Sequence, residues 1–372
     1  MATNLGQWEL KNISLPSAWD NAELNRLKLR DGTTYESILR DVDDALGMVN
    51  TELNGGYLSR LFSVGTDIAV EYRNGATTGF EDHTENAQPD TQRGDTSGHM
   101  LPLVKKDRKL GWTFDFLKEA RRAQIDADIA SMVQDAKDVF ERAVLTRLFK
   151  MEEETGKRYG LGTSGVSVPF VDGAGGTIAW TPIPRPDRVL NTMDTTHDHY
   201  LRLSGITQAN LETAVGHLWE HGHDGPYELI VSLADLSAWQ TTANVTGFIA
   251  KAQSLIQYAS TTSLAQVEAE IYQGAVNTKY GVCRLYANGR IPTTKWAVTK
   301  TYGQNDQRNP LRVRWDENWG FGVQLISDSV SLYPLKGAIG MIALGVGVGE
   351  DRSAAVLVEN DSSGDYATPT IS

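Results

Sequence analysis

The longest periodic stretch of the chain is RRAQIDADIASMVQDAKDVFERAVLTRLFKMEE, residues 121–153. Its apolar residues recur at steps of three and four positions: Ile125, Ile129, Met132, Val133, Ala136, Val139, Phe140, Ala143, Val144 and Leu148. This spacing predicts an α-helix with one apolar stripe. No glycine or proline interrupts the pattern before Gly156, and about 30 residues rising 1.5 Å each make a rod of roughly 45–50 Å. Because such a helix needs a large surface to cover its stripe, we expect the rest of the chain to be arranged around it.

The composition is that of a large folded protein. Its 372 residues exceed the size at which one hydrophobic core stops growing, which predicts two lobes. Hydrophobic residues make up 40% and charged residues 22%, which argues against a disordered chain. The formal net charge of −12 argues against a protein that coats nucleic acid non-specifically.

Three features predict a soluble intracellular protein without membrane partners. Cys283 is the single cysteine, so no intramolecular disulfide can form. The first ten residues lack the basic and apolar regions of a signal peptide. The longest apolar run, residues 339–348, has about half the length of a membrane span and contains glycines.

The first third of the chain predicts an arm, a helix and a long hairpin. Residues 1–30 show no periodicity and predict an extended arm, whereas residues 33–53 have helical spacing and end at Asn54-Gly55-Gly56. Strand-like alternation follows at residues 67–73 and again at Trp112, Phe114 and Phe116, with a polar stretch at 74–99 between them. A hairpin of this kind buries too little surface to be stable alone, so we expect it to rest on another molecule.

A basic cluster lies at the root of this predicted hairpin. Either it protects a solvated edge strand by its charge, or it receives an acidic patch of a neighbouring molecule. On the second interpretation, the candidate inter-subunit contacts are Arg73, Lys105, Lys106, Arg108, Lys109 and Trp112.

After the long helix, the chain predicts a second, mixed lobe. A Gly-rich stretch (156–176) and a connector with three prolines (177–204) indicate the lobe boundary. A helix is predicted at 206–221, a buried strand at 228–232 and a short helix at 236–241.

Strands dominate the last part of the chain. Strands at 281–287 and 295–298 flank Asn288-Gly289, a dipeptide that favours a tight turn. Residues 321–325 also alternate, and strands at 339–348 and 354–359 flank a hairpin signature at 349–352. The order of elements predicts the α+β class.

One string resembles a metal site. His217-Leu218-Trp219-Glu220-His221 has the H-x-x-E-H order of inverted zinc proteases, and His197, His199 and His223 lie nearby in sequence. The following Gly222 places the string at the end of a helix, where histidines are favoured as capping residues. We therefore favour a structural role and keep a zinc hydrolase as a remote alternative.

Other motifs do not support catalysis. Residues 160–165 match G-x-G-x-x-G, but a helix precedes them and Val166-Ser167-Val168-Pro169 follows, which is the wrong context for dinucleotide binding. No phosphate-binding P-loop, nucleophile elbow or metal-binding cysteine pair occurs, and Cys283 is expected to be a core residue. We expect no enzyme activity, no cofactor and no bound metal.

The chain resembles the Hong Kong 97-like major capsid proteins of tailed double-stranded DNA phages. The order of hairpin arm, long helix and mixed lobe is similar, and so are two strings. These are THDHYL at 196–201, and TYGQNDQRNP at 301–310 followed by WGFG at 319–322. The resemblance covers roughly residues 30–360. It implies an N-terminal arm (1–32), an N-terminal helix region (33–65), an extended hairpin loop across the next subunit (66–116), a peripheral domain with the spine helix and connector (117–204), an axial domain (205–320), closing strands returning to the peripheral domain (321–360) and a C-terminal tail (361–372).

The same resemblance implies a function. The chain is expected to assemble as pentamers and hexamers into an icosahedral shell around phage DNA, which it contacts without sequence specificity. Because only about 30 residues precede the first helix, a separate scaffolding protein is expected, with decoration proteins as optional partners and no covalent crosslink. The expected location is the virion, after assembly in the host cytoplasm. An encapsulin-type compartment is the nearest alternative.

Overall fold

A computed structural model describes residues 28–71, 98–152, 170, 198–251, 272–327, 335–361 and 364–371. Most of the predicted N-terminal arm, the hairpin tip, most of the connector, the glycine motif at 160–165, Arg73 and His197 lie outside these residues. The chain divides into two compact units. The first comprises Met1–Asn50, Lys105–Ala136 and Val323–Ile342, and the second comprises Thr51–Val104, Lys137–Gly322 and Ala343–Ser372.

The two predicted N-terminal helices are confirmed. Helix α1 spans Tyr35–Gly55, and its core-facing residues are Ile38, Val42, Leu46 and Val49. Helix α3 spans Arg122–Phe149, and 28 residues give it a length of about 42 Å. Its buried stripe comprises Ile125, Ile129, Met132, Ala136, Phe140, Val144 and Leu148. Periodic apolar burial therefore specifies both helices.

Between these helices, the base of the hairpin is formed by short strands. Strand β1 is Phe62–Gly65, β2 is Ala69–Glu71 and β3 is Gly98–Met100. β2 and β3 are antiparallel. The longer strand β4, Val104–Thr113, leads back towards α3.

The prediction of a strand through Phe114 and Phe116 is wrong. These residues lie in a short helix α2, Phe114–Glu119. The physical reason is a helix cap, since Thr113 has an extended backbone and its Oγ1 accepts a hydrogen bond from Phe116 N at 3.1 Å. Strand β4 therefore ends at Thr113, and the aromatic residues that follow belong to α2.

The long strand β13, Leu335–Val348, organises a five-stranded sheet. Its first half pairs antiparallel with β12 (Val323–Ser327), and its second half with β11 (Leu311–Trp315). β1 is parallel to β11, and β4 also pairs with β13.

A seven-stranded sheet forms the core of the second unit. Its strands are β5 (Tyr200–Arg202), β6 (Tyr227–Ser232), β7 (Phe248–Ala250), β8 (Tyr272–Thr278), β9 (Gly281–Asn288), β10 (Lys295–Thr299) and β14 (Ala355–Glu359). Their order is β5-β14-β10-β6-β9-β8-β7. Helix α4 (Gln208–Glu220) covers the sheet with Leu211, Val215 and Leu218, and a short helix α5 (Leu236–Trp239) follows β6.

The tight turn predicted at Asn288-Gly289 is present directly after β9, whereas the hairpin predicted at 349–352 is wrong. Residues 281–288 and 295–299 are strands, but β6 lies between β9 and β10 in the sheet. Likewise, β13 and β14 belong to different sheets, so residues 349–352 do not close a hairpin. The segment between them carries the buried Arg352, whose Nη2 donates to the carbonyl of Phe170 at 3.1 Å. At residues 349–352 the short sequence signal is therefore overridden by long-range packing.

Among the described residues, no helix combines the length and apolar character that crossing a membrane requires.

Candidate subunit-contact surfaces

Strand β4 carries five of the six candidate contact residues, and its two faces differ. Arg108 and Trp112 contact α3 and Leu110 is buried, whereas Lys105, Lys106 and Lys109 are exposed. Trp112 is buried and its Nε1 donates to Asp128 Oδ2 at 2.8 Å. The ring of Trp112 is buried and its N–H is hydrogen-bonded, and together these two contacts fix the strand on the helix.

Arg108 adds a second attachment to the same helix. Its Nη1 donates to the carbonyl of Ser131 at 2.9 Å and forms an ion pair with Asp135, and its Nη2 donates to Ser131 Oγ at 3.1 Å. Arg108 and Trp112 thus make contacts inside their own chain. Lys105, Lys106 and Lys109 remain exposed on the strand, and Arg73 lies outside the described residues.

The root of the hairpin arm is held by Arg314 on β11. Arg314 Nε donates to the carbonyl of Thr66, before β2, at 2.9 Å, and Nη1 donates to the carbonyl of Leu101, after β3, at 3.0 Å. One planar guanidinium therefore bonds both legs of the arm, a geometry that an ammonium group cannot reproduce. Gly345 permits close packing there, since a Cβ at that position would collide with the carbonyl oxygen of Pro102.

Arg312, two residues earlier on the same strand, supports the outgoing leg. Its Nη1 is 3.5 Å from Glu350 Oε1, and its Nη2 is 3.7 Å from Asp67 Oδ2. Gly65 leaves the space for this guanidinium, because a Cβ there would collide with Arg312 Nη2. Neither Arg312 nor Arg314 belongs to a motif that the sequence reveals, and the one available signal is that two arginines alternate in a buried strand, which is unusual.

The string at 301–310 packs on β1, the strand that leads into the arm. Asn309 is fully buried, its Oδ1 accepts from Tyr302 N at 2.9 Å and its Nδ2 donates to the carbonyl of Phe62 at 3.2 Å. Asn305, with a left-handed φ of 59°, accepts from Val64 N at 2.6 Å through Oδ1. The asparagines of this string therefore hold the arm-leading strand in place.

A polar network joins the second half of α3 to the end of β9. Asn288 Nδ2 contacts Tyr57 Oη at 2.5 Å and Glu141 Oε1 at 2.6 Å. Arg290 Nε donates to Glu141 Oε2 at 2.9 Å, and its Nη2 forms an ion pair with Asp138. Burial raises the pKa of Tyr57, so its hydroxyl stays protonated. Asp138 and Glu141 of the long helix thus have structural partners.

The C-terminal residues also pack into the second unit. Lys295 is buried, and its Nζ donates to Glu359 Oε2 at 2.7 Å and to the carbonyl of Ala367 at 2.5 Å. Tyr366 Oη donates to the carbonyl of Phe149 at 2.9 Å. The expected C-terminal tail (361–372) therefore contributes the buried side chains of Tyr366 and Ile371.

The H-x-x-E-H string forms a helix end, as the following glycine predicted. His221 is the C-cap of α4, Gly222 N donates to Trp219 O at 3.0 Å and His223 N donates to Leu218 O at 3.2 Å. These two bonds, with a φ of 86° at Gly222, are a Schellman motif.

The histidine rings of this helix end pack around His199. The ring centroid of His199 lies 5.6 Å from that of His217 and 5.0 Å from that of His221, and its Nδ1 is 2.9 Å from the carbonyl oxygen of Ala355. Across the ranges that the structure describes, no group of three histidine, cysteine or acidic residues could hold a metal ion.

Cys283 is a core residue, as expected. It is fully buried in β9, and burial raises the pKa of its thiol well above the ordinary value. A protonated, buried thiol is a poor nucleophile.

Comparisons with known proteins identify the fold. No protein family model and no curated protein matches the chain. A solved chain from Mycobacterium phage Patience is 20% identical with a TM-score of 0.59, and the alignment covers 92% of this chain and 93% of that one. The capsid of the native GTA particle is 13% identical with a TM-score of 0.48, covering 84% and 91%. The mature capsid of bacteriophage PhiM1 is 13% identical with a TM-score of 0.43, covering 82% and 86%. The match to the Mycobacterium phage Patience chain confirms that this chain has an α+β fold that also occurs in a phage protein, over nearly its whole length. The division into arm, peripheral and axial domains stays a prediction.

Proposed function

We propose that this chain is the major structural subunit of an icosahedral shell that encloses the double-stranded DNA of a tailed phage. The observation that carries the proposal is the fold shared with a phage protein across 92% of the chain. The subunit performs no catalysis, needs no cofactor and belongs to the virion, which is assembled in the host cytoplasm.

The arm root supports this proposal. A hairpin that is to lie across a neighbour must leave its own subunit in a fixed direction. Arg314 bonds both legs of the arm, and Asn305 and Asn309 bond the strand before it. Contacts that repeat head to tail around a closed ring generate pentamers and hexamers.

The candidate contact residues have two roles in this proposal. Lys105, Lys106 and Lys109 contact the next subunit, while Arg108 and Trp112 hold β4 on α3 so that the lysines face outward. Arg73 is kept as a further contact residue.

The proposed partners follow from the shell. A separate scaffolding protein directs assembly, and decoration proteins are optional partners. Because the chain has a net charge of −12, counterions neutralise most of the packaged DNA and the wall contacts it without sequence specificity.

Nuclease treatment of purified particles tests the contents of the shell. We expect particles from phage-producing cells to protect double-stranded DNA of one length. Particles that enclose a cargo protein and no DNA would instead indicate an encapsulin-type compartment.

Metal analysis tests the remote alternative of a zinc hydrolase. We expect the purified chain to contain well under one zinc per subunit, and we expect chelator treatment to leave its unfolding temperature unchanged. Stoichiometric zinc that is lost in a His217→Gln, His221→Gln variant would contradict the structural role of these histidines.

A further inference from the structure

His223 lies just after helix α4, and both nitrogens of its buried ring have partners. Nδ1 lies 2.7 Å from Tyr302 Oη, and Nε2 lies 2.9 Å from Ser353 Oγ. Tyr302 belongs to the string at 301–310, and Ser353 belongs to the segment that leads into β14. One imidazole ring therefore joins three segments that are far apart in sequence.

The direction of these hydrogen bonds follows from Asp351. Ser353 Oγ donates to Asp351 Oδ1 at 2.6 Å, because an ionised carboxylate can only accept. The hydroxyl of Ser353 has no second proton, so its oxygen accepts from the Nε2–H of His223. Nδ1 then carries no proton and accepts from the hydroxyl of Tyr302. This orientation of the network requires a neutral ring.

The groups around the ring determine when it takes up a proton. Burial has the largest effect and lowers the pKa of His223, while Asp351 raises it, Lys300 lowers it and Asp224 raises it. Asp351 Oδ2 lies 3.7 Å from Nε2. Tyr227 of β6 donates to the backbone carbonyl of His223 at 2.6 Å and so holds the main chain. Because burial dominates, the ring is neutral at neutral pH and is protonated only in acid.

Tyr302 is suited to be the donor in this network. Burial, and then the charge of Asp351, raise the pKa of its phenol to about 12, so the hydroxyl keeps its proton at ordinary pH. The Arg308 guanidinium lies 4.1 Å from the centroid of the Tyr302 ring and pairs with Asp306, and Lys300 Nζ lies 5.2 Å from the same centroid. These cation–π contacts hold the ring in place.

Tyr302 also extends the network to strand β1. Its backbone N–H donates to Asn309 Oδ1 at 2.9 Å, and Asn309 Nδ2 donates to the carbonyl of Phe62 at 3.2 Å. Asn309 is fully buried. The ring of His223 is thus linked to the arm-leading strand through one tyrosine and one asparagine.

We propose that His223 is a pH-dependent latch: its neutral ring holds the string at 301–310, and through the string β1, and its protonated ring releases both. Protonation adds an N–H at Nδ1, which then faces the Tyr302 hydroxyl that had been its donor. The hydroxyl proton must turn away, and the charged ring is drawn towards Asp351 instead. The latch is a property of a single subunit and goes beyond the proposed shell, so its failure would leave the proposed function standing.

Hydrogen exchange of the unassembled subunit, measured by mass spectrometry, tests the latch. The measured quantity is the opening constant of residues 60–66, which include β1, corrected for the intrinsic effect of pH on exchange. The ring has an ordinary pKa near 6.5 in the open state, so protonation of His223 is expected to raise this constant by up to about eightfold from about pH 7 to about pH 5.5. Other titrating groups, such as His99, act equally in a variant of His223 and cancel when the two proteins are compared.

Two variants are expected to lack this contribution. His223→Gln keeps a donor for Ser353 but cannot titrate, and Tyr302→Phe keeps the titrating ring but removes its bond to the string. Tyr280→Phe is the matched control and is expected to retain the full rise, because the Tyr280 ring packs against Trp219 with their centroids 5.3 Å apart.

NMR of the His223 ring supplies a second measurement that does not depend on the stability of the variants. In the wild type, the ring resonance is expected to stay unshifted until well below about pH 6.5. A ring that titrates with its ordinary pKa in the folded subunit would overturn the latch. An equal rise at 60–66 in the wild type and His223→Gln would also overturn it. A rise that is lost in His223→Gln but kept in Tyr302→Phe would do the same, because the ring would then act without the string.

Discussion

Arg314 donates a hydrogen bond from Nη1 to the carbonyl oxygen of Leu101 at 3.0 Å. The same guanidinium bonds the carbonyl of Thr66, so a single side chain joins the outgoing and returning legs of the hairpin arm. The arm root is therefore part of the folded subunit before any neighbour binds.

Replacing Arg314 is expected to loosen the arm root. Arg314→Lys keeps the charge but cannot bond both carbonyls, and we expect a loss of about 1.5–3 kcal/mol in the free energy of unfolding, as for a hydrogen bond to a charged group. Denaturant titration measures the loss. The matched control is Arg308→Lys. Among the described residues, the guanidinium nitrogens of Arg308 donate hydrogen bonds only to the nearby Asp306, and the Arg308 side chain is about half exposed. Equal losses in the two variants would contradict the special role of Arg314.

Deleting residues 75–97 is expected to leave a folded subunit that fails to form closed shells. The deleted residues lie between the two legs of the arm, while Thr66, Leu101 and the residues that hold them remain. Circular dichroism and unfolding measure the fold, and electron microscopy measures assembly. Closed shells of normal outline from this variant would refute the assembly role of the arm.

Trp112 is expected to act mainly within its own subunit. Trp112→Ala removes a buried ring and should lower the free energy of unfolding by about 3–5 kcal/mol. Trp112→Phe keeps most of the ring but loses the bond to Asp128, with an expected loss of about 1 kcal/mol beyond the smaller ring. The control is Trp319→Ala, whose side chain is 38% exposed and should cost less. An unchanged stability of Trp112→Ala together with failed assembly would instead assign Trp112 to the subunit contact.

His99 is expected to make stability depend on pH. Burial first, and then the charges of Arg147, Arg352 and Arg312, lower its pKa from 6.5 to about 3. Between these values the unfolded chain binds a proton that the native chain does not, so the free energy of unfolding falls as the pH falls, by up to about 1.4 kcal/mol per pH unit.

The pH prediction is measured by comparing wild type with His99→Gln. The decrease in the free energy of unfolding from pH 7 to pH 5 should be about 1–2 kcal/mol smaller in the variant, because the proton-binding difference at this position is gone. Identical pH profiles would show that His99 titrates alike in both states.

Elements that bury a periodic stripe could be predicted from the sequence. Helix α3 follows from the spacing of residues such as Ile125, Met132 and Phe140, and α4 ends where Gly222 predicts. In these cases the local pattern and the tertiary packing favour the same structure.

Strand neighbours could not be predicted, because pairing depends on residues far apart in sequence. Asn288-Gly289 favours a tight turn, yet β6 lies between the strands on either side of it. Arg352 lies where a hairpin was expected, but its bond to Phe170 belongs to a crossing between sheets.

The sequence predicted that the candidate contact surface is basic. It did not predict which of its residues bond other parts of the same chain. The lysines of β4 are exposed as a basic cluster suggests, whereas Trp112 and Arg108 bond α3. The role of Arg314 could not be predicted, because its partners are backbone carbonyls, which leave no pattern in the sequence.

The mass of the purified protein shows directly whether this chain is the subunit of a shell. Light scattering, with negative-stain microscopy of the same sample over a range of protein concentrations and crowding agents, measures whether the subunits associate. We expect particles of megadalton mass with a uniform polygonal outline. A monomer or dimer of a 40.8 kDa chain under every condition, and also with phage scaffolding protein present, would contradict it.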